Sequence, residues 1–272
     1  MAIADDAGPA IDAHDNRVSV CVLASGSRGN ATYISDGRSA ILIDAGLSGV
    51  EIQRRMDAKG LDPNSLDAIL VSHEHTDHIK GVGVLSRRFG LTVYINDGTR
   101  QASGRTLGKL PGVQPFTCGH SFPIGGLTVH PFSISHDAED PAGFTIACNH
   151  TKVGVATDLG IATGVVKTRL KSCDILVLEA NHDDQMLIDG PYPWHLKQRI
   201  RGRSGHLSNE AAALLLESLQ HDRLAHVILA HLSEENNTPQ KARYAVKNVL
   251  NGARVQLHVA SQAAGSRLVT LQ

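Results

Sequence analysis

Short apolar runs broken by turn signals set the rhythm of this chain from Arg17 onward. Val18–Leu23, Thr32–Ser35 and Ala40–Ile43 read as strands, with the glycine-rich Ser25-Gly26-Ser27-Arg28-Gly29-Asn30 between the first two. Val50–Lys59 has helical spacing and closes on Gly60, a residue suited to ending a helix. Ala68–Ser72 reads as a buried strand, and Leu91–Ile95, Val113–Thr117, Leu127–Ile134, Phe144–Ala147, Val153–Ala156 and Ile175–Leu178 continue the series. Ser208 ahead of Ala211–Leu219 combines a serine N-cap with an Ala/Leu helix. Val227–Ala230, a helix over Pro239–Leu250, and strands Val255–Val259 and Leu268–Leu271 complete the pattern. No repeat or low-complexity linker intervenes. Residues 17–272 are therefore expected to form one α/β domain of two packed sheets covered by helices.

Composition supports a large core and narrows the partners. Of 272 residues, 42% are hydrophobic and 19% charged, which excludes global disorder. A net charge of −1 exerts no overall pull on nucleic acid, so only a local basic patch could hold one. Aromatic residues at 4% argue against an extended base-stacking surface. Cys21, Cys118, Cys148 and Cys173 are far apart, without a Cys-x-x-Cys pair, and read as reduced core residues. Residues 1–16 hold four aspartates and no apolar stretch, and are expected to be a disordered tail with no secretory signal. With no run of about 20 apolar residues either, a soluble cytoplasmic protein is expected.

The chemistry concentrates in His73-Glu74-His75-Thr76-Asp77-His78, directly after the strand at Ala68–Ser72. Extended residues two apart share a face, so His73 and His75 point together. A turn into a helix would carry Asp77 and His78 to another side, an arrangement better suited to two adjacent metal ions than to one. Imidazole and carboxylate are ligands for Zn²⁺, Mn²⁺ or Fe²⁺. Functional side chains gather on loops at strand ends, where His136, Asp158 and His231 each follow an apolar run.

Asp44 in Leu42-Ile43-Asp44-Ala45-Gly46, the hexapeptide, His136, Asp158 and His231 together resemble the five-motif order of metallo-β-lactamase-fold hydrolases. The likeness runs from about residue 18 to the C-terminus. It is closer to the YycJ/WalJ-type branch, described as 5′–3′ DNA exonucleases, through Ala24–Asn30, Ala156–Gly160, Glu179–Asp183, Gly205–Asn209 and His231–Asn237. The resemblance implies a four-layer αββα sandwich with two divalent ions, Zn²⁺ or Mn²⁺, with Fe²⁺ as an alternative. His73, His75 and His136 would hold one ion, Asp77, His78 and His231 the other, and Asp158 would bridge both. Asp44 would orient a ligating histidine by accepting its free ring N–H. Two ions about 4 Å apart would share a hydroxide and activate it at neutral pH.

Glu179 and His206 resemble the Glu–His pair of the tRNA-processing nuclease RNase Z. His206 is accordingly expected to protonate the leaving group, oriented by Glu179, with Asp77 and Asp158 completing the catalytic set. His195–His206 carries Lys197, Arg199, Arg201 and Arg203 and no acidic residue, a patch able to track phosphates. Ser25 and Ser27 lie in the loop that could offer backbone N–H groups to a terminal phosphate. The expected activity is a phosphodiesterase, a 5′–3′ exonuclease on DNA. A glyoxalase II-like thioesterase would leave the basic segment and the Glu179/His206 pair without a purpose. A metal-stabilised regulatory module would not need the full ligand set and an acid.

Overall fold

Strands that are apolar on both faces must be covered on both sides, and this chain meets that demand with two sheets packed face to face. The computed structural model describes residues 17–148, 150–250 and 254–271; the expected tail at residues 1–16 lies outside them. The first half of the chain forms β1 (Val18–Ala24), β2 (Ala31–Ser35), β3 (Ala40–Ile43), β4 (Ala68–Leu70), β5 (Thr92–Ile95) and β6 (Gly112–Pro115). The second half forms β7 (Phe122–Ile124), β8 (Leu127–Ser133), β9 (Ala142–Cys148), β10 (Thr151–Ala156), β11 (Ile175–Glu179), β12 (His226–Ala230) and β13 (Gln256–Val259). A last strand, β14 (Val269–Leu271), returns to pair with β1, giving sheet orders β14-β1-β2-β3-β4-β5-β6 and β13-β12-β11-β10-β9-β8-β7.

The alternation along each strand explains the layering. Val20 and Val22 of β1 point into the space between the sheets, with Ile41 and Ile43 of β3 and Phe144, Val155, Val177 and Ile228 from the opposite sheet. Cys21 and Leu23 point outward, beneath α1 (Gly49–Ala58), α2 (Thr76–Ile79) and α3 (Val82–Phe89). After α4 (Asp97–Ala102), the remaining helices follow the second sheet in the chain: α5 (Gly164–Leu170), α6 (Asp184–Asp189), α7 (Trp194–Arg201), α8 (Asn209–Leu219) and α9 (Pro239–Lys247). Of these, α5, α8 and α9 cover the outer face of that sheet, over Leu176, Leu178, Val227 and Leu229. The four-layer αββα expectation holds. Full burial of each such aliphatic side chain is worth roughly 1.5–3 kcal/mol.

Sequence reading missed β7 and the short helices α3 to α7. β7 is three residues with a central proline, which a strand tolerates only at an edge, and β7 is the edge of its sheet. The signals at helix ends were clearer. Ser208 Oγ accepts from Ala211 N at the start of α8, and Gly60 beyond α1 has φ +70°. No helix among the described residues is long and apolar enough to cross a membrane.

β3 to β6 run parallel, as do β10 to β13. The carboxyl ends of β3, β4, β10, β11 and β12 carry Asp44, the histidine-rich loop, Asp158, Glu179 and His231. Parallel strands bring their following loops to one rim, which is where such sheets bind ligands.

Candidate metal centre

Three residues beyond strand ends adopt a backbone conformation that side chains usually avoid. Asp44 (φ 61°), Asp158 (φ 58°) and His231 (φ 55°) are left-handed, a state shared among described non-glycine residues only with Ser172. The conformation costs roughly 1–2 kcal/mol per residue. Strain of this kind persists where surrounding contacts over-determine it, and it clusters at functional sites. Here Asp44 N donates to Leu70 O and His231 N to Ser25 Oγ, which hold two of the three kinks.

The hexapeptide divides as its spacing predicts. His75 is extended (φ −60°, ψ 143°) and caps α2, so Asp77 and His78 lie on the first turn of a helix while His73 precedes it. His73, His75 and His136 each bring one ring nitrogen within 4.8 Å of the others. His136 Nε2 and His75 Nδ1 face each other at 3.3 Å, and His136 Nδ1 donates to Gly205 O. A second group unites His73, His78 and Asp158, and a third Asp158, Glu179, His206 and His231. Asp158 thus belongs to two groups. Its Oδ2 lies 3.2 Å from His78 Nε2 and its Oδ1 3.0 Å from His231 Nδ1.

Asp44 accepts from His78 Nδ1 at 2.7 Å, leaving Nε2 turned toward Asp158. Its carboxylate also takes Ser72 N and Ser72 Oγ, and that hydroxyl in turn meets His73 Nδ1 at 2.9 Å. One carboxylate therefore orients His78 directly and His73 through Ser72. Asp77 Oδ2 is 3.6 Å from His78 Nε2 and accepts from Asn30 Nδ2, but the compact group containing His231 does not include it.

Buried polar atoms normally have partners. His73 Nε2 is buried without a hydrogen bond, and Asp158 Oδ2 and His231 Nδ1 meet only fellow members of these donor groups, at 3.2 Å and 3.0 Å. Such inward-facing lone pairs on an all-N/O donor set fit divalent cations. Burial and the neighbouring His78 hold the His73 pKa well below the ordinary imidazole range, which keeps it a lone-pair donor. Burial opposes charge on Asp158 as well, yet His231 and His78 outweigh it and hold its carboxyl well below the usual range.

His206 Nδ1 donates to Glu179 Oε1 at 2.8 Å, while Glu179 Oε2 accepts from Leu159 N (2.6 Å) and Leu207 N (3.2 Å). Burial works against the Glu179 charge, but His206 and His231 dominate and hold it at about 2. The same carboxylate raises His206 against its burial, favouring the imidazolium. A cavity of about 280 Å³ joins His206 to His75, Asp77, His136, Asp158 and His231.

The basic segment is less uniform than its composition. Arg199 lines the cavity and pairs through Nε and Nη2 with Asp137. Arg201 lies 3.8 Å from Asp184, and Arg203 is exposed away from the cavity lining. Lys197 corrects the expectation of a phosphate contact: it is buried and its ammonium donates to Ile188 O (2.6 Å) and Gly190 O (2.7 Å). Ser25 is buried too, its hydroxyl accepting from His231 N, whereas Ser27 faces the cavity. Asn30, Ser72 and Asn181 were missed as site residues. Gly46, already part of the Leu42–Gly46 motif, has its reason here: a Cβ there would collide with Asp77 O.

The sequence profile of the Beta-lactamase superfamily domain matches residues 39–231. The chain is 41% identical to "Exodeoxyribonuclease YycJ" of Bacillus anthracis over 231 residues, 84% of this chain and 88% of that one. It is 38% identical to "Exodeoxyribonuclease WalJ" of Streptococcus pneumoniae over 233 residues, 84% and 87% of the two chains. Among solved structures, the metallo-beta-lactamase fold protein YhfI from Bacillus subtilis superposes with a TM-score of 0.74 at 17% identity, covering 94% of this chain and all of that one.

Proposed function

The chain belongs to the β-lactamase superfamily, with the metallo-β-lactamase fold, and we propose that it is a dinuclear metal-dependent phosphodiesterase, a 5′–3′ exonuclease acting on DNA in the cytoplasm. His73, His75 and His136 would hold one cation, and His78, His231 and Asp77 the other, with Asp158 between them. The N/O donors suit Zn²⁺ or Mn²⁺, and admit Fe²⁺. Divalent ions there supply Lewis acidity, polarising the phosphoryl group and bringing water deprotonation to neutral pH. Asp77, at the cavity wall, is the candidate acceptor for a hydrogen bond from the attacking water. Arg199 is the candidate for a substrate phosphate.

The observation that carries this reading is the Glu179–His206 pair in the cavity that holds the donor sets. With Nδ1 given to Glu179, His206 keeps Nε2 for the departing oxygen. The proton moves from Nε2 to the O3′ atom as the P–O3′ bond breaks and water's oxygen bonds to phosphorus. An alkoxide needs that proton; a thiolate leaves without it, which weighs against a thioesterase. The curated exodeoxyribonucleases that share most of this chain's length support the same substrate class.

Metal-reconstituted protein offered end-labelled single- and double-stranded DNA and RNA, beside a thioester, tests the proposal. The expected result is stepwise loss of nucleotides from 5′ ends of DNA. Thioester cleavage without phosphodiester cleavage overturns it, as does metal-dependent partner binding without hydrolysis.

A further inference from the structure

α7 contributes one wall of the cavity that holds the donor groups, and that wall is chemically unlike the rest. Leu196, Arg199 and Ile200 share one helical face at i, i+3 and i+4, and all three line the cavity together with Tyr192 from the preceding turn. Lys197, one position on from Leu196, is turned into the protein and ties the helix to the carbonyls of Ile188 and Gly190. The apolar face is therefore held in place, half-buried at the mouth of a polar site.

The same wall is bonded to the proposed acid. His206 N donates to Ile200 O at 2.9 Å, and Gly205 lies so close that a Cβ would meet Ile200 O at 2.1 Å. α7 and His206 therefore share one side of the cavity, the side on which the leaving group departs. A polar metal site has no need of Tyr192, Leu196 and Ile200 beside its leaving-group acid unless something flat and partly apolar lies there. A cavity of about 280 Å³ is at the small end of ligand pockets and suits one nucleotide rather than a stacked run.

We propose that Tyr192, Leu196 and Ile200 form the subsite for the base and sugar of the departing terminal nucleotide, with Arg199 exchanging Asp137 for that nucleotide's phosphate. The proposal rests on the nuclease reading and deepens it. It makes the enzyme release mononucleotides, because the subsite takes a single nucleoside on the leaving-group side of the site. It also makes these residues determinants of substrate affinity: they touch the nucleoside and not the phosphorus, so their loss acts mainly on KM. Arg199 and Asp137 already pair at the mouth, so a phosphate gains the guanidinium only by displacing the carboxylate, which favours release after cleavage.

The metal-loaded full chain is given 3′-labelled DNA strands ending in thymidine 5′-phosphate or in an abasic sugar phosphate. The abasic end should raise KM about tenfold, with kcat changed less, as expected for loss of one base contact. In Leu196→Ala/Ile200→Ala, and separately in Tyr192→Ala should the double variant not fold, that discrimination should shrink. Equal KM for both ends in the unaltered protein, or full discrimination in a folded variant, overturns the subsite. Calorimetry with thymidine 5′-monophosphate separates the two readings: weaker binding by the variants, together with no DNA cleavage by the unaltered protein, leaves the subsite and removes the nuclease. Equal binding by variant and unaltered protein removes the subsite whatever the cleavage result.

Discussion

Asp44→Asn changes one oxygen to an amide nitrogen at the point where two proposed metal ligands are oriented. The native carboxylate accepts from Ser72 N at 2.8 Å, Ser72 Oγ at 2.7 Å and His78 Nδ1 at 2.7 Å. An asparagine oxygen cannot serve both ends. If it faces Ser72 N, the amide NH₂ meets His78 Nδ1, which must then become the acceptor, moving the ring proton to Nε2. If the amide is flipped, the NH₂ meets Ser72 N–H, which cannot accept. The first arrangement removes the lone pair that His78 turns toward Asp158 and disturbs His73 through Ser72. Loss of such an orienting carboxylate typically lowers metal affinity tenfold to a hundredfold, about 1.4–2.7 kcal/mol. The fold should survive, since asparagine tolerates the left-handed backbone at φ 61°. Asp44→Ala should be worse, because it strands three buried donors at about 1–3 kcal/mol each. Chelator competition measures the metal affinity and thermal melting the stability. Unchanged affinity in a folded Asp44→Asn protein would refute the orienting role.

Two further outcomes follow from the same geometry. His206→Ala should lower turnover on DNA by roughly 10²–10⁴-fold with metal content intact, the range of a general acid; unchanged turnover, or loss of metal, sinks that role. In chelated protein, burial opposes protonation of His231, but Asp158 and Glu179 raise its pKa from 6.5 to about 10. Its stabilising contribution is then complete below pH 6.5 and lost as pH rises through about 10, whereas Glu179, held at about 2, contributes above 4.5 and loses that as pH falls. Thermal melting of chelated protein should therefore decline from about pH 6.5 to about pH 10, and metal-loaded protein should not share that decline, because bound histidines have already given up their protons. A flat chelated profile contradicts the His231 environment.

Much of the fold was legible because a strand buried on both faces leaves a local record. Val18–Ala24 and Ile175–Glu179 are nearly continuous apolar runs, and each supplies side chains to the central core. The short helices left no such record. α2 and α4 are too brief for a period to show, and α7 carries a cationic face that reads as solvated surface. Within the site, the hexapeptide was legible since metal ligation needs particular side-chain atoms at particular spacings. Ser72 and Asn30 were not, because an ordinary hydroxyl or amide gains its role from what lies across from it. The basic segment shows the same divide: Lys197 and Arg199 look equivalent in sequence, and only helix rotation sends one to the carbonyls behind α7 and the other to the cavity.

The sequence by itself determined the run of strands and helices and the divided His-x-His-x-Asp-His motif, while the family resemblance supplied the full set of proposed ligands. These depend on local periodicity and on the chemistry of individual side chains, both written along the chain. Tertiary structure alone decided that Asp44 reaches a second histidine through Ser72, that Lys197 turns away from the site, and that an apolar wall stands beside the acid. Those relations depend on parallel strand order, register and helix rotation. A one-dimensional pattern does not specify which loops then share a rim.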